Sequence, residues 1–372
     1  MASWLVPVAA SAGNRVVSWG GDFQLTNAPA AATNVIAVAA GNSVSLALKA
    51  DGTLLAWGYT GVTNVPAGLS NVVAIAAGDG QCLALKNDGT LAAWGAPTYT
   101  TTTTNIPTGL SNLVAIACGD HHNLVLRADG KVFAWGANYS GQTNIPVNLS
   151  NVVAIAAGNT GNLAIRANGT AWGSGTFTNR LTGFSNLVTG TLVASGNYSS
   201  AALRGDGSAL IWGYPNNTTT NLPNVIALVG RSSFNQAGAL WALRRDGTLV
   251  GFGTNYLGVP NVYQKLTNVL SIAIGYGHHV AIVGDSFPLP LAPLTRASFS
   301  NRTFTIQQPT VRGRSYVMEY RDAATTNDWQ QLPPVPGTGQ TNALIDSAAY
   351  VQRPLLSGAR QSVSDPDFKS QI

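Results

Sequence analysis

The chain has 372 residues, of which 45% are hydrophobic and 9% are charged, and its formal net charge is +5. Because soluble domains usually have about 25% charged residues, Thr, Asn, Ser and Gly must cover most of this surface, which favours a secreted or cell-surface protein. No apolar run approaches the roughly 20 residues that a membrane helix needs, and Lys and Arg exceed the acids only slightly, so we expect neither membrane insertion nor nucleic-acid binding.

The first residues, MASWLVPVAASA, contain a short apolar stretch and an Ala-x-Ala-like site. No basic residue precedes the stretch and a Pro interrupts it, so we expect a signal peptide to be absent or truncated in this chain. We expect residues 1–12 to be an N-terminal tail or the remnant of a signal peptide.

Residues 13–285 repeat one pattern of short apolar runs. Two markers each recur seven times: a Trp-Gly or Phe-Gly pair, and a Gly that closes an apolar run such as VVAIAAG. Asp-Gly or Asn-Gly turns, which are strong hairpin signals, fall between the markers in six units. The pairs begin at Trp19, Trp57, Trp94, Trp135, Trp172, Trp212 and Phe252. The closing glycines are Gly41, Gly78, Gly119, Gly158, Gly196, Gly230 and Gly275.

Repeats of about 40 to 50 residues made of short strands are typical of a β-propeller, in which each blade covers the apolar face of the next. The N-terminal RVVSWG strand has no closing-glycine run before it, and the last unit has no Trp-Gly strand after it. We therefore predict an all-β fold: a seven-bladed β-propeller over residues 13–285, closed by the N-terminal strand. Recurring Thr-Asn-x-Pro segments are expected at or beside each blade's outer edge, because Pro cannot donate to a strand ladder.

The repeat pattern ends at residue 285, and the composition changes after it. Residues 286–297 are Pro-rich and are predicted to form a linker. Residues 298–356 contain four short strand-like segments, which predict a small C-terminal β-sandwich-like module. Residues 357–372 are expected to be a disordered tail.

Two further sets of residues occupy fixed places in the repeat. Cys82 and Cys118 stand where other units have Ser or Ala, so we interpret them as small buried residues, although a bridge between adjacent blades stays open. Six cations lie two residues before the Asp-Gly or Asn-Gly turn. We expect them to keep the strand soluble and to offset a turn Asp, an interpretation that we favour over a nucleic-acid footprint. These cations are Lys49, Lys86, Arg127, Arg166, Arg204 and Arg244.

The repeat is most complete across residues 114–146, where it reads VAIACGDHHNLVLRADGKVFAWGANYSGQTNIP. This sequence pattern resembles the repeat of the regulator of chromosome condensation family, and the resemblance covers residues 13–285. The compact spacing and the GQTNIP segment are similar to bacterial members, including the propeller-type β-lactamase inhibitor protein. The resemblance implies a seven-bladed propeller that binds its target through its loops, with aromatic residues on one face contacting the target.

Aromatic residues are the candidate binding residues of this chain. One follows each Trp-Gly or Phe-Gly pair, and three more follow closing glycines; whether both sets share one face is inferred from the resemblance. Exposed loop aromatics give large, rigid contact areas, although aromatics at fixed repeat positions could instead cap the blade cores. The candidates are Phe23, Tyr59, Tyr99, Tyr139, Phe177, Tyr198, Tyr214, Phe234, Tyr256 and Tyr276.

Catalytic residues are sparse in the propeller sequence. Asp79 and Asp120 occupy the same loop position in neighbouring units, and with His121 they form a weak candidate for acid-base or metal chemistry. The neighbouring His122 and His278 hold equivalent places and are expected to pack between blades.

We predict a monomer without a cofactor that is not an enzyme and binds another protein. A carbohydrate-binding, lectin-like propeller and an enzyme using Asp79, Asp120 and His121 stay open as alternatives.

Overall fold

The computed structural model divides into two compact units, Met1–Pro290 and Leu291–Ile372. No helix among the residues that it describes is long and apolar enough to cross a membrane. The described residues are 14–21, 23–95, 103–175, 187–194, 199–204, 209–213, 219–220, 225–231, 239–244, 246–252, 266, 268–275, 277–284, 296–300, 303–309, 315–320, 330–331, 335–336, 341–346 and 360–364.

The first unit consists of short antiparallel strands and one helical turn, α1 (Phe23–Thr26). The strands of its first half are β1 (Arg15–Gly20), β2 (Val35–Ala40), β3 (Val44–Lys49), β4 (Leu54–Gly58), β5 (Val72–Ala77), β6 (Gln81–Lys86), β7 (Leu91–Gly95), β8 (Leu113–Cys118), β9 (His122–Arg127), β10 (Val132–Gly136), β11 (Val152–Ala157), β12 (Gly161–Arg166) and β13 (Ala171–Gly175). Those of its second half are β14 (Leu187–Ala194), β15 (Ser199–Arg204), β16 (Ala209–Gly213), β17 (Thr219–Thr220), β18 (Val225–Arg231), β19 (Ala239–Arg244), β20 (Leu249–Phe252), β21 (Val269–Ile274) and β22 (His278–Val283).

Consecutive strands pair into small meander sheets. The described residues of this unit form seven of them: β2-β3-β4, β5-β6-β7, β8-β9-β10, β11-β12-β13, β14-β15-β16-β17, β18-β19-β20 and β21-β22-β1, numbered here in that order. The N-terminal strand β1 pairs with β22 in the seventh sheet, as predicted, with Trp19 opposite His279. The first strands of successive sheets contact one another in order, and β2 contacts β21 and β22 of the seventh sheet.

The hydrophobic core lies between neighbouring sheets. Each large buried cluster combines residues of two adjacent sheets, for example Leu46 of the first sheet with Ile75 of the second. Other clusters join the second sheet to the third, the third to the fourth, the sixth to the seventh and the seventh to the first. Because the first and second strands are covered on both faces, they are buried along almost their whole length, whereas the third strands are half-buried.

The two ends of the sheets differ, and we name them here. The loop end carries the loops between first and second strands, 41–43, 78–80, 119–121 and 158–160, together with the segments that follow the third strands. The turn end carries the Asp-Gly and Asn-Gly hairpins 50–53, 87–90, 128–131 and 167–170. At the loop end, a β-carbon on Gly41 or Gly78 would overlap the backbone carbonyl oxygen of the next sheet's closing glycine. These glycines therefore permit a close approach of adjacent sheets that no other residue would allow.

A second contact between sheets forms at the turn end. Asn71 adopts a left-handed conformation with φ of 56°, and the amide of Val72 after it donates to Gly52 O of the preceding sheet's hairpin at 3.2 Å. Asn112 and Asn151 repeat this arrangement with the hairpins that precede them. The Asp-Gly turn thus not only reverses the chain, as the sequence predicts, but also docks on the next sheet.

Tryptophans at the ends of third strands fix the segments beside them. The indole N–H of Trp57 donates to Leu25 O at 2.9 Å, and Trp94 and Trp135 make the same bond to Val62 O and Thr103 O. In the fourth sheet the strand register puts Ser174 at this position, because Ser174 lies opposite Asn162. The hydroxyl of Ser174 donates to Gln142 O at 3.3 Å in place of the indole.

The fourth-sheet tryptophan marker is therefore displaced. Trp172 lies two residues before the place that the repeat assigns to it, and it packs instead in the cluster shared by the third and fourth sheets. Within the described residues, the expected outer segment pairs as a strand only at β17, which lies beside β16. The corresponding segments after β4, β7 and β10 are not strands.

The two cysteines are buried and form no disulfide with each other, as the small-residue interpretation predicts. Cys82 lies in the core between the first and second sheets, and Cys118 lies in the core between the second and third. Burial raises the pKa of the Cys82 thiol well above its usual range, which disfavours the reactive thiolate.

The second unit contains two small sheets. Its strands are β23 (Arg296–Ser300), β24 (Thr303–Pro309), β25 (Ser315–Tyr320), β26 (Gln330–Gln331), β27 (Val335–Pro336), β28 (Thr341–Asp346) and β29 (Arg360–Ser364). One sheet has the order β23-β24-β28, and in the other β25 pairs with β26, β27 and β29. Whether the two form a β-sandwich-like module stays a prediction.

The C-terminal boundaries differ from those expected. Strand β29 lies within residues 357–372, where a disordered tail was expected. Its sequence RQSVS has a single apolar residue, and its pairing with β25 rests on backbone hydrogen bonds that side-chain patterns do not reveal. Strand β23 begins inside the predicted linker 286–297.

Acid should destabilise the propeller through its buried histidines. Burial lowers the pKa of His122 from 6.5 to about 4, so the unfolded chain binds a proton below pH 6.5 that the folded protein does not. The free energy of unfolding should consequently fall by about 2–3 kcal/mol from this residue between pH 7 and pH 4.5. Urea denaturation at several pH values measures this slope.

The matched variant is His122→Gln, because Gln81 occupies the same place in the second sheet and donates there to Gly119 O. The variant should be less sensitive to acid than the natural protein. An unchanged slope would show that His122 is not a source of the pH dependence.

Candidate functional site

The strand directions bring two sets of loops to the loop end. In the first sheet, Tyr59 N donates to Ser43 O at 2.9 Å, and in the third sheet Ala137 N donates to His121 O at 2.8 Å. The segments after the Trp-Gly pairs therefore lie beside the loops after the closing glycines. This adjacency, inferred in the sequence analysis from the family resemblance, is present wherever the structure describes both segments.

Of the ten candidate aromatics, two have described side chains. Tyr59 is 44% exposed and Tyr139 is 59% exposed, so neither ring is enclosed in a blade core. Phe23 begins α1, but its side chain lies outside the described part of the structure. The remaining candidates lie outside the described residues: Tyr99, Phe177, Tyr198, Tyr214, Phe234, Tyr256 and Tyr276.

The segment that carries Tyr139 is held by its own hydrogen bonds. The Asn138 side-chain amide donates to Asn144 Oδ1 at 2.9 Å, and Thr143 N donates to Asn138 Oδ1 at 3.0 Å. Gln142 is fully buried, accepts a bond from Ser140 N at 2.8 Å, and its carbonyl also accepts from the side-chain amide of Asn162 in the fourth sheet. The exposed ring of Tyr139 is thus presented by a preorganised loop.

Tyr139 lies in the same cluster as the acids that the sequence singled out separately. His121 Nδ1 is 3.8 Å from Asp79 Oδ2, and the rings of His121 and Tyr139 have centroids 6.4 Å apart. Asp79 N donates to the backbone oxygen of Asp120 at 3.0 Å, which joins the second sheet to the third. Burial and the negative charges of Asp120 and Asp79 raise the pKa of the Tyr139 phenol, so it stays protonated at neutral pH.

The metal hypothesis finds no support in this arrangement. In the part of the chain that the structure describes, no three His, Cys, Asp or Glu side chains are grouped so that they could hold a metal ion. Asp79, Asp120 and His121 therefore do not form such a group. What the cluster offers is carboxylate oxygens beside an aromatic ring, which suits recognition of a donor or a cation.

The neighbouring histidines have structural roles. His122 Nε2 lies 2.7 Å from Asn162 Oδ1, and His278 Nε2 lies 2.9 Å from Ser45 Oγ, so each side chain connects its sheet to the next. His279 stacks on Trp19 at 5.4 Å, and burial lowers its pKa to about 3. His122 and His278 confirm the expected packing between sheets. His279, for which the sequence predicted no role, packs on Trp19, whereas His121 lies beside the exposed tyrosine.

The sequence analysis missed one residue of this neighbourhood, Asn159. The residue after the closing glycine is Asn42, Asp79, Asp120 and Asn159 in the first four sheets, which is a pattern that the sequence does show. Asn159 is 1% exposed, and neither its side-chain nitrogen nor its oxygen has a hydrogen-bond partner among the residues that the structure describes. Burial of an amide without a hydrogen-bond partner is unfavourable for folding and unusual in proteins.

Charges separate between the two ends. In the first unit, the Lys and Arg side chains that the structure describes all lie at the turn end: Arg15, Lys49, Lys86, Arg127, Lys131, Arg166 and Arg244. Three of them pair with the turn acids, Lys49 with Asp51 at 3.7 Å, Lys86 with Asp88 at 3.1 Å and Arg127 with Asp129 at 2.6 Å. The expected role of these three repeat-position cations is confirmed. The described acids of the loop end are Asp79 and Asp120.

Comparison with known proteins identifies the repeat. A model of the regulator of chromosome condensation (RCC1) repeat matches residues 113–142. No protein with a curated description matches the sequence. Residues 113–142 therefore match the RCC1 repeat, and the solved structures below share the β-propeller fold.

Solved structures share this fold at low sequence identity. Prp20p from Saccharomyces cerevisiae is 16% identical with a TM-score of 0.57, and the match covers 77% of this chain and 95% of that one. Human WBSCR16 is 18% identical with a TM-score of 0.56, covering 74% and 100%. The ectodomain of the Physcomitrella patens receptor kinase CR4 is 20% identical with a TM-score of 0.52, covering 64% and 66%.

Removal of two aromatic side chains, Tyr139 and Trp135, should have very different effects on the free energy of unfolding. Tyr139→Ala should change the free energy of unfolding by no more than about 0.5 kcal/mol, because the ring is exposed. Trp135→Ala should lower it by about 3–5 kcal/mol, because Trp135 is buried in the core between the second and third sheets. Urea denaturation of both variants makes the comparison. If Tyr139→Ala were as damaging as Trp135→Ala, the tyrosine would be a core cap.

Proposed function

We propose that this chain is a seven-bladed propeller of a secreted or cell-surface bacterial protein and that it binds another protein through its loop end, without catalysis. The observation that carries the proposal is Tyr139, which is 59% exposed on a loop held in place by its own hydrogen bonds. A rigid exposed aromatic ring is the side chain that anchors protein interfaces most often. Tyr59 adds a second exposed ring at the same end.

Several observations favour a protein as the partner. Prp20p, which has the same fold, binds Gsp1p and histones, and it has also been seen bound to Kap60. The loops after the closing glycines differ from sheet to sheet, reading Asn-Ser, Asp-Gly, Asp-His and Asn-Thr in the first four sheets. A lectin-like propeller would be expected to repeat one small site in every blade, so this variation favours a single extended surface.

The secreted and bacterial parts of the proposal rest on sequence. Only 9% of the residues are charged, which suits a protein outside the cytoplasm, and the compact repeat spacing resembles bacterial members of the family. We propose a monomer, in which the loop end of each chain is available to the partner.

The test compares the two ends of the sheets with matched variants. The full chain is used to capture proteins from extracellular fractions, and the affinity of a purified captured protein is then measured. The double variant Tyr59→Ala, Tyr139→Ala should weaken binding at least tenfold, or about 1.4 kcal/mol. The control is Val73→Ala, Val114→Ala, which removes two exposed apolar side chains near the turn end and should change the affinity less than twofold.

The opposite pattern would contradict the proposal. If the valine variant lost affinity and the tyrosine variant did not, the binding surface would lie at the turn end.

A further inference from the structure

We propose that the outer edge of strand β4 binds an extended segment of the protein partner as an additional β-strand. The inference rests on the proposed function, because it names the form that the partner takes where it meets the loop end of the first sheet. Three observations support it: open backbone groups along this edge, a groove beside them, and a strand of this chain on the same edge of another sheet.

Strand β4 is the outer strand of the first sheet, so one of its edges faces away from β3. At the loop end of this strand pair, Tyr59 N donates to Ser43 O at 2.9 Å. Inward-bonded and outward-facing residues alternate along an antiparallel edge strand, so the backbone groups of Leu54, Ala56 and Gly58 face outward. Among the residues that the structure describes, none forms a hydrogen bond with these outward groups.

The spacing of the outward groups determines what can bind them. They recur at every second residue, or about every 6.8 Å, and another extended chain presents its own donors and acceptors at the same interval. Natural edge strands are often protected from such pairing by charged side chains or by Pro. The sequence of β4, LLAWG, contains neither. This edge is therefore open to the addition of a strand.

A groove of about 410 Å³, called here the edge groove, lies along the loop-end half of this edge. Its volume is within the roughly 300–1,000 Å³ of clefts that hold small ligands, so it suits a short segment and not a folded domain. The indole N–H of Trp57 donates to Leu25 O in α1, which holds one wall of the groove against β4. The lining residues are Gln24, Asn27, Ala56, Trp57, Gly58 and Thr63.

The fifth sheet provides a precedent for a strand on this edge. Its third strand, β16, corresponds to β4, and β17 (Thr219–Thr220) pairs with the outer edge of β16 in antiparallel register. Thr favours extended conformations because its side chain is β-branched. In the first sheet the described segment that follows β4 is not a strand, so we assign the corresponding place to a segment of the partner.

The edge groove is continuous with the proposed binding surface. Tyr59 follows Gly58 directly and is 44% exposed, so a segment that pairs with Ala56 and Gly58 lies beside its ring. In strand addition, backbone hydrogen bonds supply affinity and alternate side chains supply specificity. Segments that bind here should therefore share an extended conformation, and their backbone donors should matter at every second residue.

The experiment selects a phage library of random 12-residue peptides on the immobilised full chain and measures the affinities of the enriched peptides. Each peptide is also synthesised in a series in which one residue at a time is N-methylated, which removes a single backbone donor. We expect methylation at two or more alternate residues to weaken binding at least tenfold. Methylation at the residues between them should weaken it less than threefold, because their N–H groups face away from β4.

The variant Ala56→Pro tests the protein side of the same contact. It removes an outward N–H and should weaken the peptides at least tenfold, and it should fold because Pro is tolerated where an edge strand faces solvent. The matched control is Ala134→Pro, which makes the same change at the equivalent position of β10 and should alter affinity less than twofold. If Ala56→Pro does not fold, Asn27→Trp decides, since it fills the groove from an exposed residue outside β4 and should weaken binding at least fivefold.

The outcomes separate this inference from the proposed function. Peptides without the two-residue period overturn strand addition, and so do equal losses in Ala56→Pro and Ala134→Pro or a selection without peptides that depend on the edge groove. If such peptides still lose affinity with Tyr59→Ala, Tyr139→Ala, the proposed loop-end binding stands. Peptides that show the period and depend on the edge groove, but not on the two tyrosines, support strand addition alone. If they lose affinity only with Val73→Ala, Val114→Ala, both proposals fall.

Discussion

Neighbouring sheets of this propeller must pack closely, because neither face of a sheet is stable in contact with water. A three-stranded sheet with both faces apolar cannot exist alone in water, and here each face is covered by the next sheet. The approach is tightest at the closing glycines, where a β-carbon on Gly41, Gly78 or Gly119 would overlap the carbonyl oxygen of its neighbour. At the opposite end the hairpin of one sheet accepts a hydrogen bond from the residue that follows the left-handed Asn of the next. The sheets whose loops and hairpins the structure describes are thus fixed at both ends.

This framework explains why adjacent residues have different roles. His122 begins a second strand, points into the contact between sheets and bonds to Asn162, whereas His121 belongs to the loop before it and lies near Tyr139. The same division separates Trp135, which is buried in the core, from Tyr139, which is exposed four residues later. Because the strands hold the sheets together, the loops beyond them are available to vary, and the candidate site consists of loop residues.

Much of the fold could be predicted because its signals are local and repeated. The hairpins follow from the Asp-Gly turns, in which Thr53 donates to Asp51 and Thr90 to Asp88, and the pairing of β1 with β22 follows from the incomplete units at the two ends. Two features were not predicted: the left-handed conformation of Asn71, and the presence of Ser174, not Trp172, at the register position of the tryptophan. Both depend on strand register and on contacts with another sheet. The strand β29 was missed for a similar reason, because its partner β25 lies about 40 residues earlier.

The candidate site was predictable only in pieces. The aromatic pattern identified Tyr139, and the shared loop position identified Asp79 and Asp120, but no sequence pattern indicates that these residues lie together. Their meeting results from the antiparallel strands, which place the loop of one sheet beside the segment that follows its third strand. Asn159 shows the same limit, because its position is visible in the repeat while its burial and unbonded amide arise only from the packing of sheets.

Hydrogen–deuterium exchange of the full chain, with and without its captured partner, distinguishes the loop end from the turn end as the proposed binding surface. If the partner binds at the loop end, exchange should slow on binding in peptides covering residues 41–44, 78–81, 119–122 and 137–142. Exchange in the hairpins 50–53, 87–90 and 128–131 should not change. Protection of the hairpins without protection of the loop-end peptides would contradict binding at the loop end.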